Sequence, residues 1–234
     1  MPIAIKPAVR PTWMVPGMNG EIPDSHLTTI EVPKTGLIKL EKQTARQFQY
    51  LRVVVNRDLK EAGLAHLELS VVSKPDAYRT ARVITAVFFD RMTTNPLLAR
   101  IPWETRKYLG KTWWLKAGKS PCAAPEWFNP VTGQWEGGSN HGWAIAADCC
   151  FYNKQTGQTV NIASAGRRAW EIFRDHVQEA GFSWEGKIPT NPQWVPGQAA
   201  PKSWEPWHVR NCVNVIPDVV IKMEQFFAQL AKGQ

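Results

Sequence analysis

The chain has 234 residues, 44% hydrophobic and 21% charged, a balance that suits a globular protein with one substantial core and excludes disordered and fibrous classes. No uninterrupted apolar run approaches the roughly 20 residues that span a bilayer, so no membrane insertion is expected. The net charge of +8 favours an anionic partner, but the 28 Lys and Arg are scattered with no run beyond Arg167-Arg168, so no nucleic-acid partner is expected.

The first 36 residues are rich in Pro, Gly and Thr and read as an extended arm with short strands at best. They lack the apolar core of a secretory signal, so action outside a cell is expected to use another export route. From Leu37 to Ala62, apolar residues at Leu40, Phe48, Leu51, Val54, Val55 and Leu59 recur near helical spacing and Gly63 stops the run, which predicts an amphipathic helix. His66 to Val72 alternates as a strand, and Tyr78 to Met92 reads as a second helix. Asn95 to Gly138, crowded with Pro, Trp and Gly, reads as a long functional loop with a short helical turn.

Ala144 to Tyr152 is a buried strand candidate, turned by Asn153 to Gly157 onto a partner strand over Gln158 to Ala163. A helix over Arg167 to Ala180 carries Trp170, Phe173 and Val177 and is closed by Gly181. Lys187 to Ser203 is a Pro-rich loop, Trp204 to Asn211 a strand-like segment, and Pro217 to Lys232 a final amphipathic helix. Helices mixed with short antiparallel strands make the expected fold class α+β.

Chemistry concentrates in SNHGWAIAADCC, Ser139 to Cys150, which offers a nucleophile, a thiolate or a nitrogen-and-oxygen metal site. Four cysteines, Cys122, Cys149, Cys150 and Cys212, are too few and too irregular for a disulfide framework, and the adjacent pair reads as reduced residues of a strand. Asp148 stands inside an apolar run, where a carboxylate is costly to bury unless it is paired or bound to a metal. His141 precedes it by seven positions, on the loop that enters the same strand, so loop and strand can bring both side chains to one point. A catalytic zinc takes three protein ligands and leaves its fourth position to water. EPWH, Glu205 to His208, offers a further histidine and a carboxylate near enough to take a proton from that water.

The pattern Ser139-x-His141-x-x-Ala144-x-Ala146-x-Asp148, followed by Glu205-x-Trp207-His208, resembles the signature SxHxxGxAxD…ExxH. That signature belongs to the zinc D-alanyl-D-alanine carboxypeptidases and related peptidoglycan L,D- and D,D-peptidases, a group that includes vancomycin-resistance D,D-peptidases and the signalling domain of hedgehog proteins. Tyr78-Arg79-Thr80 is similar to the family's YR segment, without the Gln that often follows it, and NGEIP at Asn19 to Pro23 is similar to the start of phage and actinobacterial relatives. The resemblance covers about residues 19–211. It implies a small antiparallel sheet with flanking helices, an arm over 1–18, a zinc peptidase domain over 19–215, and a helix over 216–234 packed on that domain.

Carried over residue by residue, the resemblance implies that His141, Asp148 and His208 hold Zn2+, Glu205 is the general base and Arg79 stabilises the oxyanion. Ser139 then orients the ligands, and Trp207 packs beside Glu205 and His208. Ala144 stands where the family has Gly, and its methyl group is expected to narrow the backbone approach or reshape the cleft. The implied function is a hydrolase of bacterial peptidoglycan, a D-Ala-D-Ala carboxypeptidase or an L-Ala-D-Glu type endopeptidase. Phage likeness implies an endolysin, held in the host cytoplasm until holin-mediated release, or a virion-associated lysin with other virion proteins as partners. The alternative is a catalytically silent zinc module such as a tail component; Glu205 argues against it, since a structural zinc needs no base.

Overall fold

Strands β1, Leu27–Val32, and β2, Gly36–Glu41, form an antiparallel hairpin with Ile30 opposite Ile38. The helix expected over residues 37–62 therefore starts later. Ile38 and Leu40 are buried while Leu37 and Lys39 face out, a period of two that belongs to a strand. Helix α1, Lys42–Glu61, begins where the Glu41 carboxylate accepts from the Thr44 N–H at 2.8 Å, and it buries Phe48, Leu51, Val55 and Leu59 completely. The computed structural model describes residues 12–101, 104–184, 207–211 and 218–231.

Strand β3, Leu67–Val71, follows, and then helix α2, Ala81–Arg91, capped by the Thr80 hydroxyl and running into the two-residue strand β4, Met92–Thr93. The long loop expected over Asn95 to Gly138 contains two hairpins. Strands β5, Thr105–Tyr108, and β6, Lys111–Leu115, are joined by Leu109-Gly110; β7, Trp127–Asn129, pairs with β8, Gln134–Glu136. Both Leu109 and Gly110 have positive φ, 49° and 71°, as a tight hairpin turn requires. Here Pro and Gly punctuate strands too short to show alternation. Only the expected helical turn, Pro96–Leu98, is present as read.

The remaining elements are β9, Ala146–Asn153; β10, Gln158–Asn161; α3, Arg167–Val177; β11, Phe182–Trp184; β12, His208–Asn211; and α4, Asp218–Ala231. Strand β9 organises the main sheet. Its C-terminal half runs between β3 and β10, and its N-terminal half pairs with β12, which pairs in turn with β11. Helices α1 and α3 cover one face, where Phe48, Leu51, Leu69, Phe151, Trp170 and Phe173 make the main core. A second sheet, ordered β4-β6-β5, closes over Phe88, Met92 and Leu115. The fold is thus α+β, with antiparallel sheets. Among the described residues no helix is long and apolar enough to cross a membrane. The Pro-rich loop Lys187 to Ser203, Glu205 and Cys212 lie outside the described residues.

Candidate metal centre

Strand alternation sets the position of Asp148. Ala147, Cys149 and Phe151 of β9 enter the main core, so Asp148 projects from the opposite face. Antiparallel pairing places His208 of β12 directly across from it. Such neighbours have Cβ atoms roughly 4.5–5.5 Å apart, and here His208 Nδ1 lies 2.9 Å from Asp148 Oδ1. His141, from the loop before β9, brings Nε2 to 3.5 Å from Asp148 Oδ2. The imidazoles meet edge to face with centroids 5.0 Å apart.

One ligand atom from each of these three residues lies within 4.8 Å of the others. A tetrahedral zinc with bonds of about 2.0–2.1 Å spaces its ligand atoms roughly 3.3 Å apart. The observed separations and the donor set, two imidazole nitrogens and one carboxylate oxygen, therefore fit a zinc ion.

Protonation favours the same use. Burial pushes the Asp148 carboxyl up, but its contacts with His141 and His208 outweigh that and hold it well below the usual carboxylate range. Burial drives His141 down against the pull of Asp148, which favours the neutral imidazole. Anionic carboxylate and neutral imidazole are the forms that bind metal. His141 Nδ1 is buried and has no hydrogen-bond partner among the described residues. Arg79 Nη2 lies 3.2 Å from Asp148 Oδ2 and 2.8 Å from Asp76 Oδ1, while its Nε donates to the Pro75 carbonyl at 2.9 Å. The guanidinium is thereby fixed against the carboxylate of the triad.

The loop bearing His141 is tied down from several sides. Asn19 clamps the Ser139 backbone, accepting from its N–H at 3.0 Å and donating to its carbonyl at 2.8 Å. Gly20 N donates to the Gly142 carbonyl, Arg79 N to the His141 carbonyl, Glu41 N to the Ala144 carbonyl, and Asn211 N to the Ile145 carbonyl. The packing is too close for side chains at two points: a Cβ on Gly142 would sit 2.2 Å from Asn19 Oδ1, and one on Gly20 2.2 Å from Ala81 N. Ala144 has φ +55°, a conformation that favours glycine and costs an alanine about 1–2 kcal/mol. Its methyl group joins Met14, Ile22, Leu27 and Trp143 in an apolar cluster behind the loop and is not among the groups that line the cleft.

The triad opens into a cleft of about 370 Å³. Ser139 and Trp207 line it with the triad, and Trp207 also packs on the main core while its carbonyl accepts from Cys149 N at 2.7 Å. Cys149 points into the core, where burial pushes its thiol far up, and burial pushes Cys150 up to about 12; neither lines the cleft. Of the residues expected to act, His141, Asp148, His208, Arg79, Ser139 and Trp207 are brought together. Glu205 lies outside the described residues. Sequence reading misses Asn19 as the clamp, although its NG pair stands out, and misses Arg91 and Arg106, which line the same cleft and belong to no local motif.

No family model matches the sequence, and no curated protein matches it. Among solved structures the chain is similar to VanYB in complex with D-alanine-D-alanine, with a TM-score of 0.42 and 16% identity over 89% of this chain and 88% of that one.

Proposed function

We propose that this chain is a zinc-dependent peptidase that hydrolyses peptidoglycan stem peptides. The observation that carries the reading is the convergence of His141, Asp148 and His208 in one polar cleft, residues that the sequence separates by up to 67 positions. When bound there, zinc supplies Lewis acidity, polarising the scissile carbonyl and lowering the pKa of its water to about 7. Glu205 takes the water proton and returns it to the leaving amine, a contribution of roughly 10²- to 10⁴-fold. Arg79, which lines the cleft with its charge shared between Asp76 and Asp148, is assigned the tetrahedral oxyanion. Ser139 and the loop it begins hold His141 in place.

The basic charge of +8 keeps such an enzyme near anionic wall polymers. With the likeness of NGEIP to phage sequences, it supports a phage lysin, either an endolysin released from the host cytoplasm or a virion component. The test is Glu205→Gln measured beside the parent chain. The parent binds one zinc per chain and loses activity to a chelator; Glu205→Gln keeps the zinc and loses hydrolysis of purified peptidoglycan. An active Glu205→Gln chain sinks the mechanism. A zinc-loaded parent that releases nothing from peptidoglycan returns the reading to a silent zinc module. Release of single alanine identifies a carboxypeptidase, and release of whole stem peptides or separated cross-links an endopeptidase.

A further inference from the structure

Two arginines of the cleft have no part in the chemistry above: Arg91 at the end of α2 and Arg106 on β5. Arg91 Nη1 donates to the Pro121 carbonyl at 3.0 Å, and Arg106 Nε donates to the Cys122 carbonyl at 3.0 Å. Successive carbonyls of one loop thus anchor both guanidinium groups on the same wall.

Their charges are offset unequally. Glu104 Oε1 lies 2.8 Å from Arg106 Nη2, but the other oxygen of that carboxylate is held by Arg100 at 3.0 Å, so one anion is shared by two cations. Arg91 has no carboxylate at ion-pair distance among the described residues, and a single backbone carbonyl occupies one of its five N–H donors. Arg79, by contrast, is matched by Asp76 and Asp148. Arg106 also donates Nη1 to the Thr105 carbonyl at 2.9 Å, so all three of its nitrogens are engaged and the unused planar donors are those of Arg91. The wall formed by α2 and β5 therefore faces the cleft with excess positive charge and with the free side of the Arg91 guanidinium, an arrangement suited to a carboxylate.

We propose that Arg91, supported by Arg106, is a carboxylate-binding subsite that holds the peptide in register with the metal triad, a proposal that rests on the peptidase reading. At about 370 Å³ the cleft is near the lower end of the roughly 300–1,000 Å³ typical of ligand sites, so it takes a short peptide segment. The carboxylate is either the chain terminus or the free carboxyl of an internal acidic residue.

Matched substrates separate these sources. One pair is N-acyl-D-alanyl-D-alanine and its C-terminal amide. The other is a C-terminally amidated L-Ala-γ-D-Glu peptide and its isoglutamine counterpart. Arg91→Met keeps the apolar stem and removes the charge; it lowers kcat/KM about 10- to 100-fold on the carboxylate member of one pair, spares the amide member, and leaves one zinc per chain. Arg91→Lys recovers part of the loss, and the pair that responds names the source. Equal losses on both members, or no loss on either pair, overturn the subsite. Calorimetric titration of the same four peptides into zinc-loaded Glu205→Gln protein reads binding without turnover. A carboxylate preference of at least about tenfold that Arg91→Met abolishes supports the subsite even where the parent chain cleaves none of the peptides, a result that counts against the peptidase reading alone. Binding that ignores both the carboxylate and Arg91→Met overturns the subsite whatever the hydrolysis shows.

Discussion

The wall that carries His141, Asp148 and His208 is one face of the main sheet, whose other face is sealed by α1 and α3 over a large core. The wall that carries Arg91 and Arg106 rests on a three-stranded sheet with a core of Phe88, Met92, Leu115 and Ala124. Around that smaller unit Leu97 is 90% and Ile101 85% exposed. On the proposed reading the two walls divide the labour. Candidate metal ligands need placement to a fraction of an ångström and sit on paired strands braced by a clamped loop, whereas the proposed carboxylate subsite can tolerate a less heavily packed support.

The largest test of that contrast is Asp148→Ala. It removes one of the three candidate ligands and leaves Arg79 with Asp76 as its one remaining carboxylate among the described residues, beside two buried imidazoles, a loss of roughly 3–5 kcal/mol for breaking a buried ionic cluster. Thermal melts show the lowered Tm, and elemental analysis shows zinc near zero.

Leu115→Ala strikes the other wall and costs roughly 2–5 kcal/mol as a buried truncation. Zinc stays at one per chain in this variant. If it is lost, the two walls form one cooperative unit and the contrast fails.

Asn19→Ala sharpens the contrast within the metal wall. It leaves the buried Ser139 N–H without its partner and costs about 1–3 kcal/mol. Weaker zinc in a chelator competition accompanies that loss, because the loop bearing His141 loosens. Unchanged zinc affinity means that the clamp stabilises the fold and does not position the ligand.

The smallest effect is set by pH on the core side. His176 Nε2 lies 2.7 Å from Asp58 Oδ2 of α1, and its Nδ1 lies 2.9 Å from Glu179 Oε2. Burial lowers the His176 pKa, but Glu179 and Asp58 outweigh it and the net shift is upward. A raised folded-state pKa gives stability that is fully present below the unfolded value of about 6.5 and is lost as pH rises through the folded value. The link between α1 and α3 thus weakens by about 1 kcal/mol or less on going to alkaline pH. Tm measured across that range falls in the parent chain, and His176→Gln removes this component of the slope.

Much of the site was legible because its chemistry is written as residue type and spacing. Asp148 in an apolar run, His141 before it and His208 after a glutamate mark a candidate metal site by residue type and order. The long helices α1 and α3 were legible for a similar reason, since Phe48, Leu51, Val55 and Leu59, or Trp170, Phe173 and Val177, repeat over several turns. The hairpins at β5–β6 and β7–β8 were not, because strands of three to five residues carry too few alternations to stand out from their Pro and Gly. Strand β2 was absorbed into the helix that follows it because Leu40 suits both periods.

Residue type and spacing alone point to the side chains that can bind a metal and the segments that can bury an apolar face, since both are properties of local composition. Long-range folding adds that Asn19 clamps the loop of His141, that the methyl group of Ala144 packs behind that loop, and that Arg91 and Arg106 line the same cleft as the triad. Those relations join segments up to about 120 residues apart, and they follow from strand pairing and packing, which no local pattern encodes.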